Sequence, residues 1–101
     1  MPAFGSFPSA YLARLPSSNE FRPRSIIVRQ LKQRWGSMTP AGRLVMNRAL
    51  IQASVQEIDY VIVHELCHRR FHHHGAAFFV LLARIMPDWE VRKQSLEQRL
   101  T

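Results

Sequence analysis

The chain has 101 residues, of which 47% are hydrophobic and 21% are charged, and it contains one cysteine. This length suits one domain with a small core, and the composition excludes a disordered segment and a disulfide-stabilised scaffold. No apolar run reaches the roughly 20 residues that a membrane span needs. The N-terminus has neither a basic region nor a long apolar stretch typical of a secretory signal, so we expect a cytoplasmic protein.

The formal net charge is +7, and arginine supplies 12 of the 14 cationic side chains. A charge of this size attracts polyanions such as nucleic acids. The arginines are spread along the chain and form no single block, which favours a solvated basic surface.

The first part of the chain is rich in proline. Residues 1–24 contain four of the six prolines, so we predict an N-terminal arm with room for a short helix at 9–15. The remaining residues, 25–101, are predicted to form the folded domain.

Two strands are predicted at the start of this domain. Residues 25–35 begin with β-branched side chains and then alternate loosely between apolar and polar ones, and 43–47 form a second apolar run. The segment 36–42 between them is rich in turn-forming residues. We therefore predict an antiparallel hairpin, alone or within a three-stranded sheet.

Three helices are predicted to follow the strands. Ser54 and Glu57 have the spacing of a capping box before a helix over residues 55–71, which is apolar nearly all round and therefore buried. Further helices are expected over 76–86 and 89–100. The predicted fold class is α+β, with the sheet packed on the buried helix and two more helices after it.

The buried helix contains the pattern HExxH, formed by His64, Glu65 and His68. Residues four apart lie on the same face of a helix, about 6 Å apart along its axis, so two imidazoles can converge on one metal ion. The glutamate, one position further round, can reach a water on the ion without being a ligand and can take its proton as general base. The pattern therefore indicates a metal-dependent hydrolase site.

A catalytic zinc usually has three protein ligands, and the third must come from outside this pattern. His72 follows the first histidine by eight residues and would lie about 12 Å from it in an unbroken helix, which is too far. If the chain turns near Gly75, His73 and His74 become candidates, and we choose His74. Glu90 or Glu97 could also supply a ligand, but both are expected to face outward.

Four segments together resemble a known family. The chain is similar to the YgjP-like metallopeptidase domain, which is related to the SprT-like proteases that include Spartan, over about residues 25–100. The resemblance rests on "RWGSM" (34–38), "RLVMNRALI" (43–51), "IDYVIVHELCHRRFHHHGAAFF" (58–79) and "MPDWEVRK" (86–93). It implies a zincin-like domain over 25–101, with His64, His68 and His74 as zinc ligands and Glu65 as the catalytic base.

The function expected from motif and resemblance is zinc-dependent hydrolysis of peptide bonds in a polypeptide substrate. Two alternatives remain open. One is a DNA-associated SprT-like protease or nucleic-acid-binding module, for which the positive charge is suited. The other is a protein that binds metal without catalytic turnover.

Substrate contacts are also expected from the resemblance. Residues 26–32 are a candidate edge strand that could hold an extended peptide, or a strand that only covers the helix. Arg34 and Asn47 are structural candidates that could also contact substrate. From their position at the helix end, and not from the resemblance, His72 and His73 are expected to face solvent, and one of them could polarise a substrate carbonyl, with His73 as the candidate.

Overall fold

Three short strands are followed by four helical segments in residues 24–100, the part of the chain that the computed structural model describes. The strands are β1 (Ser25–Arg29), β2 (Gly36–Met38) and β3 (Arg43–Asn47). The helical segments are a 3₁₀ helix (Arg48–Gln52), α1 (Val55–Cys67), α2 (Ala76–Ile85) and α3 (Trp89–Leu100). The predicted short helix at 9–15 and all but the last residue of the predicted arm lie outside the described residues.

The sheet is mixed, with β3 in the middle of the order β1-β3-β2. β1 runs parallel to β3, with Ile26 opposite Leu44, and β2 runs antiparallel to β3, with Gly36 opposite Met46. The α+β class and the three-stranded sheet are therefore confirmed, but the predicted antiparallel pairing of 25–35 with 43–47 is wrong. Strand β1 stops at Arg29, and the true hairpin partner of β3 is a three-residue strand too short to leave a recognisable period.

Asn47 holds the loop that makes the parallel pairing possible. Its side chain is buried, and Nδ2 donates to the carbonyl oxygens of Leu31 at 3.1 Å and Arg34 at 2.9 Å. Its Oδ1 accepts a hydrogen bond from the backbone of Ala49 at 2.9 Å, which starts the 3₁₀ helix. One amide thus fixes the loop between β1 and β2 and the exit from β3.

The predicted capping box of α1 is present. The Glu57 amide donates to Ser54 Oγ at 3.1 Å, and the Ser54 amide donates to Glu57 Oε1 at 2.9 Å. The Glu57 carboxylate also accepts from Ser95 Oγ and from Arg99 Nε at 2.7 Å, so it joins α1 to α3. Burial alone would raise the pKa of Glu57, but these hydrogen bonds and the Arg99 charge outweigh it and lower the pKa to about 2.

Helix α1 ends earlier than predicted. The expected range was 55–71, whereas the helix ends at Cys67. The Cys67 carbonyl accepts from the amides of both Arg70 at 3.1 Å and Phe71 at 3.0 Å, which tightens the final turn. The chain can therefore leave the helix axis once this turn, over residues 68–70, is complete.

The core lies between the sheet and the three helices. Helix α1 is buried on most of its circumference, as predicted, and it packs against β2, β3, α2 and α3. The largest fully buried side chains are Leu44, Met46, Leu50, Ile58, Ile62, Leu66, Phe78, Leu82, Ile85, Met86 and Leu96. No helix between residues 24 and 100 is long and apolar enough to cross a bilayer.

Candidate metal centre and active-site cleft

Three histidine rings meet beside the C-terminal end of α1. His64 lies in the last turn of α1 and His68 caps its C-terminal end, with ring centroids 5.0 Å apart. His74 comes from the segment between α1 and α2, and its ring centroid lies 5.1 Å from that of His64 and 4.6 Å from that of His68. The early end of α1 makes this possible, because the chain doubles back toward the helix face that carries the other two rings.

The nitrogen atoms of these rings are close enough to share a cation. One ring nitrogen from each histidine lies within 4.8 Å of the others, and the Nε2 atoms of His68 and His74 are 3.0 Å apart. Two nitrogens on one tetrahedral zinc ion would be about 3.3 Å apart. Three imidazoles with no thiolate or carboxylate form a donor set that suits zinc and related divalent ions. The three histidines therefore form a metal-binding group.

A hydrogen bond at the far side of the His68 ring favours metal binding. His68 Nδ1 lies 3.0 Å from the Phe71 carbonyl, whereas its Nε2 faces His74. The carbonyl is an acceptor, so Nδ1 is the donor and Nε2 keeps its lone pair for an ion. His64 Nδ1 lies 3.1 Å from Glu65 Oε2, which joins this ring to the neighbouring carboxylate. Burial has the largest effect on the pKa of His68 and lowers it. The Glu65 charge and the hydrogen bond to Phe71 oppose this less strongly, and His64 and His74 lower the pKa slightly further, so the neutral ring is favoured.

Glu65 is buried beside this group, under strand β2. A Cβ added to Gly36 would lie 3.2 Å from Glu65 Cγ and 3.0 Å from Val61 Cγ1. The strand therefore touches α1 at the candidate catalytic residue, and a side chain at position 36 would require its neighbours to shift by a few tenths of an ångström. This contact gives a physical reason for glycine within the "RWGSM" segment.

Phe78 lies beneath the three histidine rings and is outside the sequence motif. Its side chain is fully buried on α2, and its ring centroid lies 5.1 Å from His64, 4.6 Å from His68 and 4.9 Å from His74. These distances are typical of packed aromatic rings. The available signal was its spacing, since Phe78 follows His74 by one helical turn at the start of an apolar helix.

The three histidines open into a cleft of about 820 Å³. One wall is formed by residues 33–40, which include Arg34 and β2, and the other by α1. The edge strand beside the site is therefore β2 and not the predicted segment 26–32, because β1 lies at the opposite edge of the sheet.

The three residues predicted to contact substrate differ in burial and in whether they line the cleft. Arg34 lines the cleft and is exposed. Asn47 is buried and hydrogen-bonded to backbone groups. His73 is exposed and is not among the residues that line the cleft, whereas the neighbouring His72 is. Substrate contact by Arg34, Asn47 and His73 stays a prediction.

Two further ionisable side chains near the site stay protonated. Burial raises the pKa of Tyr60 to about 12, and the charges of Glu97 and Glu65 add to this effect. Tyr60 lines the cleft, with its ring centroid 5.7 Å from that of His64, so its phenol is a hydrogen-bond donor at neutral pH. Burial likewise raises the pKa of Cys67 to about 12, with a further contribution from Glu65, which makes a thiolate ligand unfavourable.

The alternative carboxylate ligands lie elsewhere. Glu90 and Glu97 are exposed on α3, and within the described part of the chain neither belongs to the histidine group. Their outward orientation agrees with the sequence-based expectation.

The fold matches that of a solved metallopeptidase. The crystal structure of the metallopeptidase zymogen of Pyrococcus abyssi abylysin superposes with a TM-score of 0.65 at 17% sequence identity, covering 90% of this chain and 94% of that chain. The two proteins thus share an α+β fold in which a three-stranded sheet precedes three helices.

The sequence matches a family model over almost its whole length. The model of the YgjP-like, metallopeptidase domain matches residues 6–99, and the chain belongs to this family. No curated protein sequence is significantly similar to the chain. Family, fold and histidine group together define a metallopeptidase domain with a metal-binding triad.

Proposed function

We propose that this protein is a zinc-dependent peptidase that hydrolyses polypeptides, with His64, His68 and His74 holding the ion and Glu65 acting as general base. The observation that carries the proposal is the convergence of three imidazoles, whose ligand nitrogens lie within 4.8 Å of one another, beside a buried carboxylate. When bound, zinc would act as a Lewis acid that polarises the substrate carbonyl and makes water more acidic.

The surroundings of Glu65 support its proposed role in moving protons. Its Oε2 accepts from His64 Nδ1 at 3.1 Å, and this leaves Oε1 to take a proton from the attacking water. As the water oxygen bonds to the carbonyl carbon and the C–N bond breaks, the same carboxyl group returns the proton to the leaving amine. Burial under β2 keeps the carboxylate beside the cleft and limits the water around it.

Strand β2 would orient the substrate. It lies at an edge of the described sheet and lines the cleft, so its outer backbone groups are available to an extended peptide. The phenol of Tyr60 and the imidazole of His72 also line the cleft and are candidate donors for the developing oxyanion.

The proposal is tested by elemental analysis of the purified protein together with hydrolysis of an unfolded polypeptide. We expect one zinc per chain, hydrolysis by the wild type, and a loss of about 10²–10⁴-fold in rate in Glu65→Gln, because the base is removed. The variant should keep its metal. Glu90→Gln, with the same chemical change on exposed α3, is the matched control and should be fully active.

Two outcomes would contradict the proposal. A wild-type protein that binds zinc but hydrolyses no polypeptide would favour metal binding without turnover. Equal hydrolysis by wild type and Glu65→Gln would mean that another group activates the water.

A further inference from the structure

We propose that the cleft selects acidic polypeptide segments and that Arg34 is a specificity-determining residue. This inference rests on the proposed peptidase function and names the substrate class of the same site. It arises from the arrangement of charge around β2, which the spread of arginines along the sequence did not reveal.

The cleft is lined by charges of one sign apart from the proposed base. Among the described residues that line it, Glu65 is the sole carboxylate, and Arg34 and Arg69 are the cations. Glu65 is buried, whereas the Arg34 side chain is exposed and, within residues 24–100, donates a weak hydrogen bond to Ser37 Oγ at 3.5 Å. A guanidinium in this state can reorient to bind a carboxylate.

Cationic side chains flank β2 at both ends. Arg34 precedes the strand, and Arg24, Arg43 and Arg69 gather about the turn that follows it. A Cβ built on Gly42 in that turn would lie 3.0 Å from Arg69 Nη1 and 3.3 Å from Arg24 Cγ. The first residues of the same turn line the cleft. Positive charge therefore lies on either side of the proposed hydrolysis site.

The remaining carboxylates between residues 24 and 100 do not line the cleft. They are on the first two turns of α1, on α3 or just before it, namely Glu57, Asp59, Asp88, Glu90 and Glu97. Three of them form ion pairs with cations of α3. The cleft thus keeps an excess of positive charge, which raises the local concentration of anionic chains.

An extended peptide fits this pattern. From Arg34 to Thr39 a strand-like chain spans about 16 Å, so a peptide running along β2 could place acidic side chains near both cationic ends. The acidic side chains of the peptide would lie about four to six residues apart, one on each side of the scissile bond. A nucleic acid would also be attracted, but a polypeptide can in addition pair with the backbone of β2 and presents the bond that the site is proposed to cleave.

The test uses three peptides of equal length whose single cleavage site is flanked on both sides by glutamate, glutamine or lysine. We expect kcat/KM to be about two- to fivefold higher for the glutamate peptide than for the glutamine peptide at low salt, and lowest for the lysine peptide, as exposed ion pairs would give. The difference should largely disappear at about 0.5 M salt. Equal kcat/KM for all three peptides would overturn the proposal.

The role of Arg34 is tested with Arg34→Gln and the matched control Arg84→Gln. Arg84 is exposed on α2 and does not line the cleft. Arg34→Gln should lower kcat/KM for the glutamate peptide about two- to fivefold, chiefly through KM, and leave the glutamine peptide unchanged. Arg84→Gln should change neither. Equal losses on all peptides in Arg34→Gln would reduce Arg34 to a general structural role.

Binding measurements separate this inference from the proposed function. Fluorescence anisotropy with Glu65→Gln reports peptide binding whether or not hydrolysis occurs. Tighter binding of the glutamate peptide supports acidic selection even if the wild type cleaves nothing, in which case the peptidase proposal alone fails. Equal binding of the three peptides, or tighter binding of a single-stranded oligonucleotide than of the glutamate peptide, would overturn the inference.

Discussion

Replacing Gly36 by alanine probes the contact between β2 and the active-site helix. A methyl group at this position would lie 3.0 Å from Val61 Cγ1, 3.2 Å from Glu65 Cγ and 3.2 Å from the Val45 carbonyl oxygen. All three neighbours are in the packed interior, and Val45 O belongs to the central strand of the sheet. The methyl therefore fits only if β2 moves away from α1 or if Glu65 shifts.

The expected cost follows from these distances. Adding a methyl to a filled core destabilises a protein by about 1–3 kcal/mol, and the lower chain entropy of unfolded alanine returns about 0.4–1 kcal/mol. We expect the free energy of unfolding to fall by about 1–2 kcal/mol, which corresponds to about 4–16 °C in Tm for a chain of this size. A shift of the Glu65 carboxylate by about 1 Å would lower the rate of hydrolysis about a hundredfold.

The assay combines denaturant unfolding, zinc content and hydrolysis of an unfolded polypeptide. Gly75→Ala is the matched control, because a Cβ at Gly75 would meet nothing within 4 Å and its φ of −86° suits any residue. This variant should lose no more than about 1 kcal/mol, the cost of alanine at a helix N-cap, and stay active. If Gly36→Ala were as stable and as active as Gly75→Ala, the inferred contact between β2 and Glu65 would be refuted.

Two other predictions concern the metal centre and the junction of α1 with α3. His74→Ala should weaken zinc binding more than a hundredfold because it removes one of three ligands, whereas His73→Ala should change zinc binding little. Competition with a chromophoric chelator measures the zinc affinity of both variants. A larger loss of affinity in His73→Ala than in His74→Ala would refute our choice of ligand. Because the folded-state pKa of Glu57 is about 2 against 4.5 for the free side chain, the stability it contributes is present above about pH 5 and lost as the pH falls toward 2. This pKa difference corresponds to about 3 kcal/mol of folding free energy, so Glu57→Gln should flatten the pH dependence of the free energy of unfolding in this range. Glu90→Gln is the control. An unchanged pH profile in Glu57→Gln would contradict the stabilising role assigned to the Glu57 carboxylate.

Much of the α-helical part of the protein could be predicted from local sequence. The capping box at Ser54 and Glu57, the buried character of α1 and the helices at 76–85 and 89–100 depend on contacts within a few residues or on a regular period. The HExxH spacing depends only on helix geometry, so it predicts that His64 and His68 share one face without any information on tertiary contacts.

Tertiary structure decided how these pieces are joined. The parallel pairing of β1, the three-residue strand β2, the placement of Phe78 under the rings and the contact of Ser95 and Arg99 with Glu57 all connect residues distant in the chain. No local period encodes such contacts, because they form only when separate segments compete for the same buried space. The sequence alone therefore determined the chemistry on the helix, whereas the fold decided which strand walls the cleft, what supports the histidines and where the positive charges gather.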